Sequence, residues 1–152
     1  TPYWFSCASN VDAILTAHGI PEERIVRVPV VNPPYVEEQY TEQSDEDPTD
    51  EFEIIFVGRL IEDKGVPLLI KTFESFVEDH PHAHLTLVGD DPTGDVNELI
   101  DCADLDDELT TTGELEHVEV IRRIASSDVL VLPSRDEALP RVIVEAFALG
   151  VP

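Results

Sequence analysis

From residue 54 onward, apolar residues fall in short blocks separated by amphipathic stretches. Blocks at 54–57, 85–88 and 129–132, with a weaker one at 109–112, are runs of Ile, Val, Leu, Phe and Thr of strand length. Between and after them, residues 67–78, 95–103, 116–125 and 140–149 repeat apolar side chains at helical spacing. Apolar strands alternating with helices of about ten residues predict an α/β fold, a Rossmann-like parallel sheet with helices on both faces. Ligands of such sheets bind at the carboxyl ends of the strands, so chemistry is expected in the loops after Val57, Val88, Thr112 and Leu132.

The earlier part of the chain is organised differently. Trp4-Phe5-Ser6-Cys7-Ala8 reads as a strand, Ser9 or Asn10 caps a helix running to His18, and Gly19 stops it. After the turn Pro21-Glu22-Glu23, residues 25–28 form a second strand, ended by Pro29 and Asn32-Pro33-Pro34. This is one βαβ-like unit. Residues 37–53 then carry nine acidic side chains and no basic one, a composition that builds no core and reads as a solvated linker. The expected organisation is thus a βαβ remnant of a preceding domain over 1–36, an acidic linker over 37–51 and a ligand-binding domain over 52–152. The chain starts at Thr1 and stops at Gly150-Val151-Pro152, where a further strand is expected, so it reads as a piece of a longer protein. Trp4 and the six Phe are assigned to the core.

Charge narrows the partners. Of 152 residues, 42% are hydrophobic and 28% charged, which suits a soluble globular chain, and 33 acidic against 9 basic residues leave a net charge of −24. Such a chain builds no basic face, which excludes sequence-independent nucleic-acid binding and docking on anionic lipid. Lys64 and Lys71 are the only lysines. A carboxylate-coated, lysine-poor surface fits a salt-adapted cytoplasm, where counterions screen its self-repulsion. The melting temperature is therefore expected to rise from dilute buffer to molar salt, and a flat profile would remove that inference. Cys7 and Cys102 have no CxxC spacing, which fits a reducing compartment and supports neither a disulfide framework nor a metal site. No apolar run reaches the length of a membrane span, and the N-terminus has no signal-peptide pattern. A cytoplasmic location is expected.

Two loops hold the candidate chemistry. In the first, Gly58 permits close backbone approach, and Arg59 and Lys64 are scarce cations beside a helix N-terminus. A planar guanidinium fork and a mobile ammonium together suit a diphosphate. The loop is not a Walker A motif, because Lys64 is followed by Gly65 and not by Ser or Thr. Local pairing of Arg59 and Lys64 with Glu62 and Asp63 is the structural alternative. In the second loop, Pro140 is expected in the first turn of a helix, with Glu137 before that helix and Glu145 inside it. Eight helical steps separate two carboxylates by roughly 80° around the axis, so a shared metal is not the natural reading. A carboxylate in a ligand cleft instead accepts hydrogen bonds from vicinal hydroxyls of a ribose or hexose. His80, His82 and His84 alternate before a strand and are metal candidates, or ordinary connection residues. Asp90 and Asp91 either reach the cleft or cap the next helix.

Taken together, Val57-Gly58-Arg59-Leu60 with Asp63-Lys64-Gly65, Leu87-Val88-Gly89-Asp90, Gly113, Ser127-Asp128-Val129-Leu130-Val131-Leu132-Pro133-Ser134, and Glu137 with Glu145 resemble the C-terminal half of a GT-B glycosyltransferase of family 4. The likeness extends over about two thirds of the chain. It implies that Arg59 and Lys64 contact a nucleotide diphosphate, that Glu145 holds the ribose hydroxyls, and that Glu137 is the catalytic carboxylate touching the donor sugar. It implies further that Glu114 and Leu115, next to Gly113, meet the base, and that Gly58 and Leu139 complete the nucleotide site. Enzymes of this kind are retaining and hold no tightly bound metal; the nucleotide-sugar, an NDP-hexose, is a substrate and not a cofactor. The expected reaction is hexose transfer to a glycan, lipid-linked or small-molecule acceptor held by an N-terminal domain, this chain carrying the donor half and transferring nothing alone. A non-catalytic nucleotide-sugar-binding module and a nucleotide-sugar epimerase are the alternatives. The chain departs from the family at Ala138-Leu139-Pro140-Arg141, where a Gly-Phe-Gly-Leu type segment is common and where Pro140 removes one backbone donor.

Overall fold

The computed structural model describes residues 3–6, 9–28, 51–103, 105, 107–137 and 140–152. Most of the expected acidic linker lies outside these residues, as do Cys7 and Leu139.

At the start of the chain, β1 (Trp4–Ser6) and β2 (Ile25–Arg27) pair in parallel, Trp4 opposite Ile25 and Ser6 opposite Arg27. Helix α1 (Ser9–Ala17) connects them, and its Asp12 makes an ion pair with Arg27. This is the expected βαβ-like unit. The aromatic expectation fails here: Trp4 and Phe5 are exposed, as are Phe52, Phe76 and Phe147, and only Phe56 and Phe73 are buried. A two-stranded ribbon buries too little to hide its side chains on either face.

The remaining elements alternate as the apolar blocks predict: β3 (Phe52–Val57), α2 (Val66–Asp79), β4 (Ala83–Val88), α3 (Asp95–Ala103), β5 (Leu109–Gly113), α4 (His117–Ala125), β6 (Val129–Leu130) and α5 (Arg141–Ala148). The four strands form one parallel sheet in the order β5-β4-β3-β6. Successive residues of β3 face opposite sides, so the strand belongs to two cores. Ile54 and Phe56 pack with Val66, Ile70 and Phe73 of α2 and Val96 and Ile100 of α3, whereas Ile55 packs with Val120 and Ile124 of α4 and Ala146 of α5. Burial on both faces explains why these strands read as unbroken apolar runs.

The boundaries move where hydrogen bonds extend or end a ladder. Strand β3 begins two residues earlier than the apolar block, because the Phe52 N–H donates to the His82 carbonyl and the Glu53 N–H to Asp128 Oδ2, both at 2.8 Å. Strand β6 is shorter than the block, for its ladder runs out before Pro133, which has no N–H to give. Its other edge receives the end of the chain, the Leu130 N–H donating to the Pro152 carbonyl at 2.9 Å. Helix α5 starts at Arg141 and not at Pro140, whose ψ of 115° makes it the extended residue before the first turn.

Asp91 settles as a helix cap. Its carboxylate accepts from the Gly94, Val96 and Asn97 N–H groups at 3.0, 3.1 and 3.2 Å, satisfying the start of α3. The three histidines do not share one place: His80 and His82 border a hollow with Phe52 and Phe76, the His80 ring 4.2 Å from that of Phe76, while a His84 ring nitrogen is 3.0 Å from the Thr110 hydroxyl oxygen. Among the described residues, no three His, Cys, Asp or Glu side chains gather in a group able to hold a metal. Cys102 is exposed, and among the described residues no helix is long and apolar enough to cross a membrane.

Candidate functional site

The order of the strands selects the place for a ligand. From β3 the chain steps outward through β4 to β5, then α4 carries it back to β6 on the far side of β3. The connections leaving β3 and β6 therefore diverge, opening a crevice at their carboxyl ends. A cleft of about 330 Å³ lies there, bounded by Val57 at the end of β3 and Gly58 just past it, Leu132 after β6, Leu115 and His117 before and at the start of α4, and Pro140, Arg141 and Val142 at the start of α5. Lys64, Glu137 and Glu145 complete its polar wall.

Contact between two loops brings Lys64 and Glu137 together. The chain after β3 makes a single 3₁₀ turn, Glu62–Lys64, ended by Gly65 at φ 75°. A Cβ on Gly65 would stand 2.3 Å from the Pro133 carbonyl oxygen, so only a glycine lets the loop after β6 lie against this turn. The Arg135 N–H donates to the Asp63 carbonyl at 3.3 Å, tying the two loops a second time. Across this junction Lys64 Nζ donates to Glu137 Oε1 at 2.5 Å, 73 residues away in sequence. The ammonium holds the Glu137 carboxyl below the usual carboxylate range, against an upward push from partial burial and with help from the Ser134 hydroxyl. Glu137 is accordingly an ionised acceptor at neutral pH.

Glu145 occupies the other wall. It is only 4% exposed, on the face of α5 that packs among Ile55, Val120 and Ile124. Its Oε1 lies 3.1 Å from Nε2 of His117, the first residue of α4. The N-terminus of α5, at Arg141 and Val142, opens on the same cleft and adds the positive end of a helix dipole to Lys64 and Arg141. A chain of net charge −24 thus gathers cations, a helix N-terminus and two carboxylates with assigned partners at one strand-end crevice. By their chemistry, the cations and helix N–H groups can bind an anion and the carboxylates can accept donated hydroxyl hydrogens. A larger hollow of about 550 Å³ borders Glu62, Asp63 and Asp95, with Arg135 as the cation in its wall, and this excess of carboxylates disfavours an anion.

Of the residues expected from sequence, Gly58, Lys64, Leu115, Glu137 and Glu145 line the cleft together. Arg59 and Glu114 do not line it; both are exposed beside residues that do. Leu139 lies outside the described residues. The local alternative for Lys64 is not what forms, since Lys64 crosses to Glu137 while Glu62 stands 3.9 Å from Arg135. Sequence reasoning missed His117 and Arg141. The available signals were position, since each is the first residue of a helix following a strand-end loop, and, for Arg141, the scarcity of cations.

The molecule has likenesses in both fold and sequence. The fold resembles that of WaaG, a glycosyltransferase involved in lipopolysaccharide biosynthesis, with a TM-score of 0.83 at 21% identity over 97% of this chain and 42% of that one. It also resembles the pneumococcal O-GlcNAc transferase GtfA, solved in complex with UDP and GlcNAc, with a TM-score of 0.76 at 18% identity over 100% of this chain and 29% of that one. In sequence the chain is 36% identical over 103 residues to a glycogen synthase of Mycobacterium tuberculosis, covering 66% of this chain and 24% of that protein. It is 31% identical over 100 residues to the alpha-D-kanosaminyltransferase of Streptomyces kanamyceticus, covering 65% and 26%. The chain spans from 10% to 28% of the length of the curated relatives compared. Residues 38–152 match the family of glycosyl transferases group 1, and with this much of its length inside the match the chain belongs to that family.

Proposed function

We propose that this chain is the donor-binding half of a retaining glycosyltransferase of family 4 type, which transfers a hexose from a nucleoside-diphosphate sugar to a glycan, lipid-linked or small-molecule acceptor. The observation that carries the proposal is the meeting of Lys64–Glu137, His117–Glu145 and the α5 N-terminus in one crevice at the strand ends. The diphosphate lies against Lys64 and the start of α5, with Arg59 reaching in from its exposed loop. Glu145 accepts from the ribose hydroxyls, Leu115 and the neighbouring backbone at Glu114 meet the base, and Glu137 faces the hexose. The three ammonium hydrogens of Lys64 let it donate to Glu137 and to phosphate oxygens together. As the glycosidic bond breaks, fixed cations and helix N–H groups stabilise the charge that grows on the departing diphosphate. Transfer itself needs an acceptor held against the donor, which falls to the portion of the relatives this chain does not span. The acidic surface and two unpaired-spacing cysteines support a salt-adapted, cytoplasmic setting.

Titration calorimetry on carboxamide variants tests the division of labour. Glu145→Gln is expected to weaken binding of a bare nucleoside diphosphate by about 1.5 to 3 kcal/mol, the scale of charge-assisted hydrogen bonds. Glu137→Gln is expected to spare the bare nucleotide and weaken only the nucleotide-sugar. Equal effects of both variants on both ligands would contradict these assignments.

A further inference from the structure

We propose that His117 is a positioning residue: it fixes the Glu145 carboxylate in the orientation that accepts the vicinal hydroxyls of the ribose. The inference rests on the assignment of Glu145 to the ribose and adds to it a residue from a different helix. Glu145 is a buried carboxylate that shares its cleft with apolar Leu115, Val120 and Val142, and a carboxylate so placed needs a donor. His117 Nε2 supplies it at 3.1 Å from Oε1. An ionised carboxylate only accepts, so this contact requires the hydrogen on Nε2. The bond uses one acceptor site of Oε1 and leaves the other site and all of Oε2 for two hydroxyls.

The backbone makes His117 a firm post. Its residue opens α4, and the Glu119 and Val120 N–H groups both donate to the Glu116 carbonyl at 2.9 and 3.1 Å, setting the first turn. Glu145 reaches its carboxylate through three rotatable bonds, and without a fixed donor its orientation would have to be set when a ligand binds. A donor from a neighbouring helix orders it beforehand, so the gain appears only with a ligand that uses the carboxylate. Both side chains border the cleft, which puts the pair where the ribose is assigned.

The test compares ligands with and without the hydroxyls. Uridine, guanosine and adenosine diphosphates and their 2′,3′-dideoxy counterparts are titrated into the unaltered chain, His117→Ala and His117→Gln, with circular dichroism melts to follow folding. The unaltered chain is expected to prefer the ribonucleotide by about tenfold or more, as one to two charge-assisted hydrogen bonds would give. His117→Ala is expected to lose most of that preference while keeping its affinity for the dideoxy ligand. His117→Gln, whose amide nitrogen reaches about where Nε2 stands, is expected to recover it. A His117→Ala variant that keeps the full preference, or that loses both ligands equally, overturns the positioning role and leaves the Glu145 assignment standing. An unaltered chain without any preference, or without binding of the three nucleotides, overturns the Glu145 assignment and the inference with it.

Discussion

Lys64→Ala is expected to weaken nucleoside diphosphate binding by about 3 kcal/mol or more, over a hundredfold, the largest effect of any single change in the cleft. Two losses add. The charge-assisted bond from Nζ to phosphate disappears, and Glu137 loses the ammonium that offsets its charge opposite an incoming dianion. The double variant Lys64→Ala/Glu137→Gln should therefore recover part of the affinity, because the repelling carboxylate is gone. Stability should change little near neutral pH, since both side chains of the pair remain 24% exposed. The pair's contribution has a definite sign with pH. Glu137 titrates lower in the folded chain than unfolded, so the stabilisation is present above the unfolded carboxylate range and fades as pH falls through the lowered folded value. Calorimetry on the three proteins decides the matter, and equal affinity of Lys64→Ala and the unaltered chain would remove Lys64 from the site.

Gly89→Ala is expected to destabilise the fold by about 3 kcal/mol or more. Gly89 sits just past β4 at φ 148°, and a Cβ there would stand 1.9 Å from the Gly58 carbonyl oxygen and 2.8 Å from its carbon. Both atoms are backbone and cannot rotate away. The Gly58 N–H is already committed to the Val88 carbonyl at 2.9 Å, so moving Gly58 breaks the ladder between β3 and β4 at its ligand end. Gly150→Ala is the matching control: it also has positive φ but meets nothing within 4 Å, and is expected to cost about 1 kcal/mol of backbone strain alone. Urea unfolding of both variants in high salt checks the contrast. Equal losses would mean that close approach at Gly89 contributes nothing beyond conformation.

These two glycines mark what a sequence of this kind reveals. The blocks at 54–57, 85–88 and 129–132 announced the sheet because packing on both faces makes those strands largely apolar, a signal carried within a few adjacent residues, whereas 109–112, on the sheet's edge with Leu109 alone buried, gave a weaker one. Gly58, Lys64, Glu137 and Glu145 were legible because they lie in the strand-end loops and the helix that follows. Their partnerships were not. Lys64 meets Glu137 only because Gly65 lets the loop after β6 rest on the turn after β3, a contact between segments 73 residues apart that local pairing rules cannot see. His117 was passed over for the same reason, since its meaning comes from Glu145 on another helix, 28 residues on. Asp91 was ambiguous until its three backbone donors were placed. The aromatic residues misled outright: hydrophobicity alone sends Trp4 and Phe5 inward, yet a short two-stranded unit supplies no interior to receive them.

The central claim is that the crevice at the ends of β3 and β6 holds a nucleoside diphosphate with its phosphates and ribose at opposite walls. A crystal structure of this chain grown in high salt with uridine, guanosine or adenosine diphosphate tests it most directly. The predicted complex has phosphate oxygens within hydrogen-bond distance of Lys64 Nζ and the N–H groups that begin α5, and both ribose hydroxyls on the Glu145 carboxylate, with His117 still donating to Oε1. A nucleotide seated elsewhere, or one whose ribose turns away from Glu145 while Lys64 stays bound to Glu137 alone, would contradict it.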